Sequence, residues 1–174
     1  MNRNVNTIAA RLSLRAPQRE SLAILARVAE IAQLGKNADP RALLEVIRSE
    51  YGTVQDFERE FPSLCFHLAT GVGKTRLMGA FIAWLHAERI SRHFFVLAPN
   101  LTIYNKLIAD FSVGTPKYVF AGLSSFAVSP PVVITGENYE NGAGVRDQAR
   151  QLRMFGVGDE QAVHINVFNI AKIN

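Results

Sequence analysis

Ser63-Leu-Cys-Phe-His-Leu-Ala-Thr-Gly-Val-Gly-Lys-Thr-Arg-Leu-Met-Gly-Ala-Phe81 is the stretch on which the reading of this chain turns. Its first part, Ser63 to Ala69, is a short apolar run bounded by Pro62 and Gly71, the profile of a buried strand. After Gly71-Val-Gly73 the apolar residues fall at helical spacing: Leu77, Met78, Phe81, Ile82, Trp84 and Leu85, ending near Arg89. Between the two lies Leu68-Ala-Thr-Gly-Val-Gly-Lys-Thr75. Two glycines let the backbone take left-handed angles and come close to a ligand. Backbone N–H groups in such a turn, with the positive end of a helix dipole behind them, suit a cluster of negative charge. Lys74 then stands where an ammonium meets the β- and γ-phosphates of a nucleotide, and Thr75 where a hydroxyl meets Mg²⁺. The expected cofactors are ATP and Mg²⁺, held by Thr70, Gly71, Val72, Gly73, Lys74 and Thr75.

Working outward, His93-Phe-Phe-Val-Leu-Ala98 is a second strand closed by Pro99, and Leu101 to Phe111 a second helix. Strand, helix, strand, helix predicts a mainly parallel sheet covered on both faces. Tyr118-Val-Phe120 and Val132-Val-Ile134 are further strand candidates, separated by a loop containing Ser129-Pro130-Pro131. Val145 to Phe155 reads as a polar surface helix, and Ala162-Val-His-Ile-Asn-Val-Phe168 as a strand. Upstream, Leu22, Ile24, Leu25, Val28, Ala29, Ile31 and Ala32 predict a helix from Pro17 to Leu34, capped by Gly35. A second helix starts at Asp39-Pro40 with Leu43, Leu44, Val46 and Ile47 as its buried stripe. Thr53 is placed to cap a third, short one through Glu60. Residues 1–61 thus form an N-terminal helical segment, and residues 62–174 the first part of an α/β nucleotide-binding domain.

Composition narrows the class without choosing the ligand. Hydrophobic residues make up 48% of the 174 and charged residues 20%, near globular averages, which argues against wholesale disorder. The net charge of +4 is spread along the chain, nine basic and eight acidic side chains in residues 1–60 and ten and seven in 61–174. That surplus is compatible with a phosphate backbone but does not by itself indicate nucleic acid. No apolar run is long enough to span a membrane, and the polar start carries no secretory core, so a cytoplasmic protein is expected. The single cysteine, Cys65, excludes an internal disulfide framework and is expected to be a small buried hydrophobe. His67, His86, His93 and His164 show no metal-ligand spacing and read as core or surface residues.

The strict loop pattern wants glycine at position 68, where this chain has leucine. Ala-Thr-Gly-x-Gly-Lys-Thr instead resembles the loop of helicases and translocases of the second superfamily. Two further segments resemble that superfamily in order. Arg15-Ala-Pro-Gln-Arg-Glu20 is similar to its glutamine motif, which implies Gln18 as reader of the adenine edge, with Arg15 beside it. Phe95-Val-Leu-Ala-Pro-Asn100 is similar to its next motif, whose loop touches the DNA backbone; this implies DNA contacts at Pro99, Asn100 and Thr102. Within the superfamily, Phe66 to Phe81, Tyr118-Val-Phe120, Ile134-Thr-Gly-Glu-Asn-Tyr139 and Val167-Phe-Asn-Ile-Ala-Lys-Ile-Asn174 resemble the ATPase (Res) subunit of type III restriction enzymes and close DEAD/DEAH-box relatives.

The resemblance implies an incomplete RecA-like P-loop domain with preceding helices. It also implies an ATP-dependent helicase or translocase acting on double-stranded DNA, a separate C-terminal nuclease and a methyltransferase partner that recognises the site. Hydrolysis needs an Asp that holds the metal and a Glu that orients water at a strand end. The only Asp-Glu dipeptide, Asp159-Glu160, follows Gly156-Val-Gly158 rather than an apolar run. Val132-Val-Ile-Thr-Gly-Glu137 lacks the Asp, and Leu107-Ile-Ala-Asp110 lies within a helical period. No catalytic residue is therefore assigned. The expectation is the N-terminal portion of a longer motor, inactive as it stands. The alternatives are a remodelling or repair translocase without nuclease, and a small non-hydrolysing nucleotide-binding module.

Overall fold

A computed structural model describes residues 2–32, 39–140 and 162–172. Its first helix, α1 (Arg3–Arg11), was not expected. Asn2 caps it through bonds to the Asn4 and Val5 amides, and Val5, Ile8 and Ala9 share a buried face. Then come α2 (Ala16–Ala32) and α3 (Pro40–Glu50), both where the periodicity puts them. Asp39 caps α3 through the Arg41 N–H, with Pro40 in the first turn. The Gly35 cap lies outside the described residues.

The expected third helix does not form. Asp56 Oδ1 accepts the Glu58 N–H at 2.8 Å, and Glu58 has a φ of 52°. A side chain that takes a backbone donor two residues on, followed by a left-handed residue, makes a turn that competes with helix. Phe57 alone of this segment is buried, packed with Val28, Leu43 and Ile47 in a small second core between α2 and α3.

Helix α4 (Lys74–Ala87) is followed by β1 (His93–Ala98), α5 (Leu101–Phe111), short α6 (Ser124–Val128), β2 (Val132–Thr135), short α7 (Gly136–Glu140) and β3 (His164–Asn169). The sheet is open, parallel and three-stranded, with β3 in the centre, order β1-β3-β2. The register sets Val96 beside Val167 and Val133 beside Ile165. These residues, with Ala98, face Trp84 on α4 and Tyr104, Leu107 and Phe111 on α5. The same core runs on without a break into Leu22, Leu25 and Ala26 of α2 and into Val5 and Ile8 of α1. Among the described residues the fold is a mixed helix and strand arrangement, consistent with part of a RecA-like domain.

Three expectations need correction. Ser63–Ala69 forms no strand: the sheet among the described residues consists of β1, β3 and β2, and neither of its outer edges takes this segment. It lies largely in solvent, and Cys65 is exposed rather than buried. Tyr118–Phe120 is a series of turns, closed by Tyr118 N–H to the Thr115 carbonyl (3.2 Å) and Ala121 N–H to the Tyr118 carbonyl (3.3 Å). Its rings are core anchors: Phe120 stacks on Phe126 at 4.4 Å between centroids. Helix α5 packs on one face of the sheet with Val96, Val133, Ile165 and Val167; on the other face Val132 and Ile134 are buried with Ala162, while Phe95 is 62% exposed and Leu97 46%. The helix expected at Val145–Phe155 lies outside the described residues.

Candidate nucleotide site

The loop before α4 turns on two residues with positive φ, Gly71 at 76° and Gly73 at 92°. At Gly71 a side chain would meet only open space, so what the position requires is its angle. Gly73 is also crowded, since a Cβ there would lie 2.8 Å from Gln18 Nε2. Gly73 is the N-cap of α4 and has no side chain with which to close the helix end. The first helical bond is Leu77 N–H to the Gly73 carbonyl at 3.1 Å. The donors of the first turn thus face the loop, where the helix dipole favours an anion.

Around this turn the side chains are placed from the N-terminal helices. Gln18 on α2 is 2% exposed. Its Nε2 donates to the Gly73 carbonyl at 2.9 Å, and its Oε1 accepts the Arg15 N–H at 2.8 Å. Arg15 Nη1 donates to the Gly71 carbonyl at 3.3 Å. Within the first turn of α4, Arg76 Nη1 donates to the carbonyl of Leu12, the C-cap of α1, at 3.2 Å. At the far end of α4, Asn4 Nδ2 donates to Glu88 Oε1 at 3.0 Å. The glutamine motif and the loop, 55 residues apart in sequence, are in direct contact.

Lys74 is exposed, and its ammonium donates to the Ala69 carbonyl across the loop at 3.0 Å. Thr75 is half-buried, and its hydroxyl accepts from Lys106 Nζ of α5 at 3.1 Å. Lys106 also pairs with Asp110, one turn on, whose side chain is 5% exposed. Thr70 is exposed at the tip, and Val72 half-buried between the glycines. Pro99, Asn100 and Thr102 form an exposed corner where β1 passes into α5. Asn100 Oδ1 accepts the Ile103 N–H at 2.9 Å as the cap of α5. Beside the loop, a cleft of about 1030 Å³ opens between α2, α3 and the 53–68 segment, with Pro17, Ser21, Ile24, Tyr51 and Leu68 in its walls.

The residues fit a phosphate group: left-handed glycines, an uncapped helix start and an ammonium and a hydroxyl on its first turn. Groups with displaced acidity sit elsewhere. Burial pushes the Tyr118 phenol up to about 12 and holds His86, in the last turn of α4, below its ordinary range. Sequence reasoning missed the Lys106–Asp110 pair. The available signal was a carboxylate at helical spacing beside the apolar stripe of Leu107 and Phe111, with a lysine four residues before it.

The family model for the type III restriction enzyme Res subunit matches residues 11–174. The chain belongs to the Res-subunit family. Comparisons with curated proteins and with solved structures return no match. Membership makes the chain part of a helicase-like ATPase group within the restriction enzymes. The match takes in the glutamine motif, the phosphate loop and the β1–α5 corner, so all the candidate residues of this Res-family chain fall inside it. No helix among its described residues is long and apolar enough to cross a membrane.

Proposed function

We propose that this chain binds ATP with Mg²⁺ as the nucleotide-binding part of a DNA-dependent translocase of the type III restriction kind. The observation that carries the proposal is the pair of left-handed glycines opening onto an uncapped helix whose first two residues are Lys74 and Thr75. The triphosphate would lie over the Gly71–Thr75 amides, with Lys74 against the β- and γ-phosphates. Thr75 is the hydroxyl that would hold the metal, whose charge would offset that of the phosphates. The adenine would lie toward Gln18, whose amide keeps one donor and one acceptor position beyond the two bonds it makes.

On this reading, residues 1–61 are the helical segment that positions the loop and residues 62–174 the motor portion. Pro99, Asn100 and Thr102 form an exposed corner suited to a DNA backbone, and such contact would be nonspecific and salt-sensitive. The partners are double-stranded DNA and a methyltransferase subunit, in the cytoplasm. No Asp-Glu box stands among the 174 residues in a suitable context, so residues 1–174 alone are expected to bind ATP without turning it over.

Lys74→Ala tests the reading. The lost ammonium should weaken ATP by 100-fold or more, on the order of 3 kcal/mol for a charged contact to phosphate. Calorimetry giving the same affinity for wild type and variant would remove the assignment.

A further inference from the structure

The cation at Thr75 comes from an unexpected quarter. A threonine hydroxyl offers two lone pairs, and here Lys106 Nζ already donates to Thr75 Oγ1 at 3.1 Å. The Lys106 side chain is 48% exposed, but its ammonium is also tied to a carboxylate. Asp110, four residues on along α5 and 4% exposed, pairs with it. Asp110 is itself fixed, since its carbonyl accepts the Val119 N–H at 2.8 Å and its neighbours Leu107 and Phe111 are buried in the core. A buried carboxylate that accepts from a lysine one turn back holds that lysine in place.

We propose that Lys106 is a positioning residue for the metal half of the nucleotide site. Its ammonium, held by Asp110, shares the Thr75 hydroxyl with Mg²⁺ and so sets how strongly nucleotide binding depends on the metal. The inference rests on the ATP site proposed above. Two cations on one hydroxyl repel each other, so the lysine weakens the metal's hold on the site. Bound to the hydroxyl of Thr75, the same ammonium would stand close to the phosphates of the proposed site and offset part of their charge when metal is scarce. Both effects flatten the dependence on Mg²⁺. Because Lys106 sits in the second turn of α5, which begins at the Pro99–Asn100 corner, metal loading at Thr75 also bears on the helix behind that corner.

The test is binding of a fluorescent ATP analogue to the 174-residue chain, first in EDTA and then across a Mg²⁺ titration. Lys106→Met alone would leave Asp110 buried and unpaired, so it is combined with Asp110→Asn. The double variant should bind the analogue about tenfold more weakly in EDTA and reach half-saturation at about tenfold lower Mg²⁺. Lys106→Arg, which keeps the charge and the pair, should behave as wild type. If the double variant does not melt cooperatively, Lys106→Gln, which leaves the Asp110 charge in place and keeps a hydrogen-bond donor for it, carries the same comparison with a larger effect in the same direction. Wild type and variants sharing one Mg²⁺ dependence would overturn the role of Lys106 and leave the ATP site standing. A wild type that binds no analogue with or without metal would overturn the ATP site, and the role of Lys106 with it.

Discussion

The two arms of the phosphate loop are built in opposite ways. Downstream, α4 is gripped along its length: Trp84 and Ala80 are buried in the main core, and Asn4, Leu12, Arg15 and Gln18 bond to the loop, the helix or its end. Upstream, Ser63–Ala69 lies against the surface, and Leu64 is 40% exposed. Both arms are apolar in sequence. What separates them is the availability of partners. The helix meets α1, α2 and the main core, whereas the upstream arm joins neither free edge of the three-stranded sheet, that of β1 or that of β2. An apolar run becomes a strand only where a neighbour can take its backbone groups. The loop is therefore held from its helix side, and the N-terminal helices are part of the site's framework.

The contrast can be broken most forcefully at Trp84, 1% exposed between α4 and the sheet. Trp84→Ala should cost about 3–5 kcal/mol, seen as a large fall in the denaturant midpoint. A smaller effect is expected at Gln18→Ala. That change leaves the Gly73 carbonyl and the Arg15 N–H without their partner, a loss of about 1–3 kcal/mol, and it should weaken ATP along with stability. Smallest is Leu64→Ser in the upstream arm, expected within about 0.5 kcal/mol of wild type. If Leu64→Ser cost as much as Gln18→Ala, the two arms would be equally supported and the comparison would fail.

Much of this arrangement was legible beforehand, and the gaps have physical causes. Helical spacing placed α2, α4 and α5, and the short apolar runs at His93–Ala98, Val132–Ile134 and Ala162–Phe168 became strands. Helix α1 was missed because its buried residues Val5, Ile8 and Ala9 are diluted by Arg3, Asn4, Asn6 and Thr7. The spacing was present, but so few apolar residues among polar ones gave no stripe from which to place a helix before Pro17. Tyr118–Phe120 shows the reverse. Three apolar residues in a row fit a strand or a buried turn equally well, and the bonds of Tyr118 and Ala121 back along the chain chose the turn. In the site, Gly71, Gly73, Lys74 and Thr75 were readable from local order alone. The bonds from Gln18 to Gly73 and from Lys106 to Thr75 join segments 55 and 31 residues apart, and only the fold brings these together.

The account turns on a loop whose first-turn amides receive a nucleotide's phosphates. Hydrogen exchange on the whole chain, with and without Mg·ATP, tests this directly. The account predicts slowed exchange at the amides of Gly71 to Arg76, with little change at Leu64 to His67. Exchange at Gly71 to Arg76 that is the same with and without the nucleotide, at concentrations where the chain remains folded, would contradict it.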